Sequence, residues 1–170
     1  DIQMVNEMEL QESIELIDSY ETDYAIDLLE GVEVGKSAEI MANMEVEKAI
    51  DIFEDMEIEK AIDIAEGMNM EKMVELTDEM QVEKAIEITE GLGIEKTVEI
   101  IEGVEIEKAS EIMSGLSQEK ADEVVSVLKQ KMEEGLSDNA VAIIKTFFSD
   151  QIDKKESIIF KRVYFDLNSR

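Results

Sequence analysis

MEIEKAIDIAEG, residues 56–67, is the phrase whose reading decides the fold. Counting Met56 as position 1, apolar or small residues stand at positions 3, 6, 7, 9 and 10 (Ile58, Ala61, Ile62, Ile64, Ala65). Charged residues stand at 4, 5, 8 and 11 (Glu59, Lys60, Asp63, Glu66). At about 100° per residue the first set covers one continuous arc of roughly 160° and the second covers the opposite side, which is helical periodicity. The phrase therefore predicts one short amphipathic helix.

Working outward, the same grammar reads MEVEKAIDIFED at 44–55, MQVEKAIEITEG at 80–91, LGIEKTVEIIEG at 92–103 and VEIEKASEIMSG at 104–115. Rows of twelve fit without insertion from Met8 to Val127, ten in all. Ile2 and Met4 fall at positions 7 and 9 of an earlier row, so the chain is expected to begin inside a unit. Position 12 is Gly31, Gly67, Gly91, Gly103 or Gly115 in five rows and Asn43 in another, as expected where a helix ends in a left-handed residue. Glu at position 4 lies in the first turn, where the helix dipole favours an anion, and Lys at position 5 is placed to pair with the acid at position 8.

A helix of about nine residues is marginal in water, since isolated helices need roughly 12 to 15 residues to persist. Each row must share its apolar arc with neighbours on both sides, the logic of a stacked repeat protein. The expected fold is all-α, an α-solenoid of about ten short helices. Ala49, Ala61, Ala85, Ala109 and Ala121 recur at position 6, where neighbouring helices are expected to approach closely. The eleven Met residues favour the apolar arc, so core packing is their expected role.

Composition removes whole classes of chemistry. The 170 residues include 44 acidic and 16 basic side chains, a formal charge of −28, and no Cys, His, Pro or Trp. Without His or Cys there is no Ser-His-Asp triad, no thiol nucleophile and no ligand set suited to zinc, haem or iron–sulfur clusters. The acidic balance excludes nucleic acid as a partner, because it would be repelled. No run approaches the roughly 18 to 20 apolar residues of a membrane helix, so no direct membrane insertion is expected. The start, Asp1-Ile2-Gln3-Met4, lacks the basic and apolar regions of a signal peptide.

The register fails after Val127, and residues 145–170 carry six basic against four acidic side chains. Three segments are expected: a helical-repeat solenoid over 1–136, a capping helix over 137–150 opened by Ser137 and Asp138, and a linker over 151–170 with a strand of a following domain. The β-branched and aromatic run SIIFKRVYFDL, Ser157–Leu167, is the expected strand.

The core E-K-A-[IT]-[DE]-[IL], as in Glu47-Lys48-Ala49-Ile50-Asp51-Ile52 and, with drift, Glu119-Lys120-Ala121-Asp122-Glu123-Val124, resembles the repeats of the cytoplasmic N-terminal domain of the MgtE magnesium transporters. The resemblance covers about residues 1–127 and implies a right-handed superhelix and a role in magnesium sensing. The prolines that open helices in that family are absent here.

Two near-motifs lead elsewhere. Gly31-Val32-Glu33-Val34-Gly35-Lys36-Ser37 has three residues between its glycines instead of the four of a P-loop, and falls at a row boundary. Gly91-x-Gly93-x-x-Lys96 lacks the third glycine and the preceding strand of a dinucleotide fingerprint. Residues 1–35 hold eleven acids and no Lys or Arg, and Asp23, Asp27 and Glu30 share one helix face. These three are the candidate oxygen ligands for Mg2+ or Ca2+, with no cofactor required. The functional expectation is a non-enzymatic scaffold, a protein-interaction or spacer module of a larger protein, cytoplasmic or exported to the cell surface, with a protein partner or self-association. The alternative is a cation-responsive regulatory domain.

Overall fold

The computed structural model describes residues 1–152, 166, 167 and 169, and all regular structure among them is α-helix. Twelve helices follow one another: α1 (Ile2–Glu7), α2 (Leu10–Asp18), α3 (Thr22–Gly31), α4 (Val34–Asn43), α5 (Val46–Asp55), α6 (Ile58–Gly67), α7 (Met70–Glu79), α8 (Val82–Gly91), α9 (Ile94–Gly103), α10 (Ile106–Gly115), α11 (Gln118–Glu133) and α12 (Ala140–Ile152). From α3 to α10 every helix occupies positions 3–12 of its row, and positions 1 and 2 form the connection. The expected strand, Ser157–Leu167, falls almost entirely outside the described residues; its described end, Asp166 and Leu167, is helical.

Each helix packs chiefly on the helices two places before and two places after it, so odd and even helices form two adjoining stacks. The reason lies in the two-residue connection, which is extended at position 1 and turns the chain sharply between consecutive helices. Position 6 is buried in every row, from Ser13 to Ala121, none more than 3% exposed. Positions 9 and 10 complete the core, with Ile52, Phe53, Ile100, Ile101, Ile112 and Met113 fully enclosed. Met44, Met56, Met68 and Met80 at position 1 are buried as well. Where position 6 is polar its hydroxyl has a backbone partner: Ser37 Oγ donates to Leu29 O at 2.7 Å, and Thr97 Oγ1 to Gly93 O at 3.0 Å.

The glycines at position 12 serve a different purpose from the expected left-handed caps. They are the last residues of right-handed helices, and Gly135, with φ of 70°, holds the one positive φ among the described residues. The helix leaves through an extended residue at position 1, for example Leu92 with φ −74° and ψ 155°. At Gly91 and Gly115 the position 7 side chain of the helix two places earlier fills the space a Cβ would take. A Cβ at Gly91 would stand 2.8 Å from Ile62 Cγ1, and one at Gly115 would stand 2.8 Å from Ile86 Cγ1.

The lysines at position 5 also depart from expectation. One of them, Lys72, lies 3.7 Å from the acid at position 8, Glu75, but the recurrent contact runs backwards. Lys36 Nζ donates to Met8 O at 2.6 Å, Lys48 to Tyr20 O at 2.6 Å, Lys72 to Met44 O at 3.2 Å and Lys84 to Met56 O at 2.9 Å. Lys108 and Lys120 reach Met80 O and Leu92 O in the same way. Each lysine thus satisfies a carbonyl at the C-terminal end of the helix three places earlier, where the dipole also favours a cation.

A complementary contact runs forwards from position 11. Glu54 accepts the N–H of Gln81 at 2.9 Å, Glu66 that of Gly93 at 2.8 Å, Asp78 that of Glu105 at 3.1 Å and Glu90 that of Ser117 at 3.1 Å. These donors sit at the N-caps of the helices three places later, so a carboxylate meets the positive end of a helix. In α4 position 11 is Ala42, which offers no such acceptor; in the helix three places on, Asn69 Oδ1 accepts a different donor, the N–H of Lys72, at 2.9 Å.

The far end is closed by α12, which lies on α10 and α11 and buries Ile143, Ile144, Phe147 and Phe148. Gln151 Nε2 donates to Ser114 Oγ at 2.8 Å, Ser110 Oγ to Asp150 at 2.7 Å and Asn139 Nδ2 to Glu102 O at 2.6 Å. Lys131, in the part of α11 beyond the repeat register, pairs with the Glu102 carboxylate.

Candidate interaction surface

The row grammar sends positions 4 and 8 outward, so the exposed side of the stack is lined by acids such as Glu47, Glu59, Glu71, Glu87 and Glu99. The cations that might neutralise them are largely turned inward onto backbone carbonyls. The result is an acidic exterior whose charge is not cancelled locally.

Asp23 and Asp27, on α3, are exposed, and Glu30 is half-buried with its carboxylate accepting the Glu57 N–H at 3.2 Å. Asp23 lies in the first turn of its helix, where the dipole accounts for it. Among the described residues no group of three or more acidic side chains is gathered so that it could hold a metal ion.

Glu66 has a displaced acidity. The Gly93 N–H, and after it the Lys96 ammonium 3.3 Å away, hold its carboxyl below the ordinary value of 4.5, against the opposing effect of its partial burial. Lys96 also donates to the Glu66 backbone carbonyl. The carboxylate therefore acts as a structural cap, and its acidity belongs to the scaffold.

Two hollows open on the surface. One, of about 420 Å³, is polar and lies among Asp78, Glu79, Glu105, Glu107, Lys108 and Glu111. The other, of about 410 Å³, is largely apolar and lies between α7 and α9, bounded by Met70, Val74 and Gly103 with Glu71, Glu99 and Glu102 around them. Its residues hold positions 3, 4 and 7 of one row and 8, 11 and 12 of the row two helices later.

The near-motifs have no phosphate-binding shape. Gly31 ends α3 and Gly35 lies in α4, while Ser37 is buried with its hydroxyl on Leu29 O. Gly93 and Lys96 are taken up by Glu66.

With twelve short helices stacked two apart and tied three apart, the comparison with known families becomes specific. The profile of the MgtE intracellular N domain matches residues 2–90 and again residues 59–133. The chain belongs to the MgtE intracellular N domain family. The two matches overlap over 59–90, as an array of near-equivalent rows allows. No curated protein and no solved structure matches the chain significantly. Among the described residues of this MgtE N domain relative, no helix is long and apolar enough to cross a membrane.

Proposed function

We propose that the chain is a non-enzymatic helical-repeat scaffold that engages a protein surface through its acidic exterior, as one module of a larger protein. The observation that carries this reading is the division of labour among its charged side chains. Lysines at position 5 and acids at position 11 are spent on backbone groups inside the stack, which leaves the acids at positions 4 and 8 as its outward chemistry. Membership of a family defined as an intracellular N domain supports the module reading, because such a domain works beside other parts of its protein. Fixed charge on a repetitive scaffold favours rapid, salt-sensitive association with a basic surface.

The test is site-specific photo-cross-linking in the cell that makes the protein, with the reactive side chain placed at exposed Glu59, Glu71 or Glu99 and, as a control, at Leu136. Discrete protein adducts from the first three positions, lost on raising ionic strength, are expected. Uncross-linked chain from every position would overturn the reading.

The alternative, a cation-responsive regulatory domain, draws on the same excess of acid and on the family. Thermal melts in magnesium or calcium against sodium at equal ionic strength separate the two. Saturable stabilisation by the divalent ion, removed by Asp27→Asn, favours the regulatory domain; identical melts favour the scaffold.

A further inference from the structure

The groove between α7 and α9 opens beside Val74, at position 7 of its row. At position 7, Ile62 in α6 and Ile86 in α8 extend a full side chain beside Gly91 and Gly115, with the terminal Cδ1 of each the nearest atom to the glycine. The corresponding residue in α7 is Val74, which lacks that carbon and meets Gly103 through its two methyl groups, at 2.6 and 2.8 Å from where a Cβ would stand. Beside them lies a hollow of about 410 Å³ lined by Val74, Met70 and Gly103.

The surroundings state what would fill it. Glu71 and Glu99 are exposed, one on each of the two helices forming the walls, and among the described residues neither has an ion pair to oppose its charge. Glu102, on the third side, is already paired with Lys131. An apolar floor between two unopposed carboxylates matches an aliphatic side chain flanked by Lys or Arg. An acidic or purely apolar segment would leave those carboxylates repelled or desolvated without compensation.

We infer that the α7–α9 groove is a docking site for a short basic segment of a partner protein that seats an aliphatic side chain on Val74 and sets cationic side chains against Glu71 and Glu99. The inference rests on the protein-interaction reading above and names the partner chemistry of one place on that surface.

The probe is a capped twelve-residue helical peptide with leucines at i and i+4 and lysines on either side, titrated into the isotope-labelled chain and followed by NMR. A control peptide of equal charge replaces both leucines with serine. Saturable shifts of the Val74 and Met70 methyl groups and of the Gly103 amide are expected, with the serine peptide at least tenfold weaker. Val74→Ile restores the side chain that Ile62 and Ile86 carry beside their glycines, so it should keep the fold and weaken binding at least tenfold. Glu71→Gln with Glu99→Gln, both at exposed positions, should weaken binding and flatten its salt dependence. Shifts spread evenly over the acidic exterior, or equal affinity for Val74→Ile, would overturn the inference while the cross-linking result above still stands or falls by itself. Concentration-dependent shifts of the same groups without peptide would assign the groove to a second copy of the chain and also overturn it.

Discussion

Glu66 and Gly93 stand twenty-seven residues and three helices apart, and the carboxylate of the first accepts the backbone N–H of the second at 2.8 Å. Lys96, one turn into the capped helix, returns to the same glutamate. A short helix cannot satisfy its own end groups; here the ends of α8, α9, α10 and α11 are completed by a side chain from the helix three places away. Packing between helices two apart supplies the core, and these ties fix how one layer sits over the next.

Removing one tie should destabilise the stack without reshaping it. Glu90→Ala deletes the acceptor of the Ser117 N–H, and a loss of about 0.5–2 kcal/mol is expected from denaturant unfolding. A loss within error would mean that water replaces the carboxylate at no cost.

Glu66 also sets a pH dependence. Because its folded acidity is lowered from the ordinary 4.5, its contribution is fully present above that value and is lost as pH falls through the lower folded value. The difference in melting temperature between the native chain and Glu66→Gln should be constant near neutrality. It should shrink as pH drops below 4.5. A difference that grows on acidification has the wrong sign.

Ala42 and Asn69 bear on two different donors of α7. Asn69→Ala removes the side chain that accepts the Lys72 N–H and should cost about 0.5–2 kcal/mol. Ala42→Glu installs the position 11 acid that other rows carry, twenty-seven residues before Asn69 in the manner of Glu66 and Gly93. It should stabilise the chain by accepting the Asn69 N–H, side by side with the first cap as Glu90 and Ser117 act in α11. A stability unchanged by Ala42→Glu in denaturant unfolding would contradict the forward tie.

Two glycines should respond with opposite sign. Nothing lies within 4 Å of a Cβ built at Gly35, whereas one at Gly91 meets Ile62. Gly35→Ala should stabilise by about 0.4–1 kcal/mol through the unfolded chain, and Gly91→Ala should destabilise. Stabilisation at both would show that Ile62 yields without cost.

At the buried position 6, Ala85→Leu should overpack the stack and cost about 1–3 kcal/mol. Ala85 is 1% exposed, so an unchanged melting temperature would require a rearrangement of α8 against α6 and α10.

Much of this fold is legible in twelve letters. Periodicity, burial at positions 6, 9 and 10 and the acid in the first turn follow from the phrase at 56–67 and its recurrences. What the phrase conceals is which rows touch, because a twelve-residue period looks the same whether helices meet one, two or three places apart. Gly91 therefore reads as a left-handed cap until Ile62 is found beside it, and Lys84 reads as a partner for Glu87 until Met56 O is found within reach. The candidate groove was less legible still, since it brings Met70 and Val74 of one row beside Gly103 of the row two helices later.

The tie between helices three apart is tested most directly by amide hydrogen exchange at Gly93. The N–H at a helix N-cap has no partner within its own helix, so protection there must come from Glu66. Slowed exchange at Gly93 in the native chain is expected, with acceleration confined to that amide and its immediate neighbours in Glu66→Ala. Exchange at Gly93 as fast as in an unstructured peptide in the native chain, or unaffected by Glu66→Ala, would contradict it.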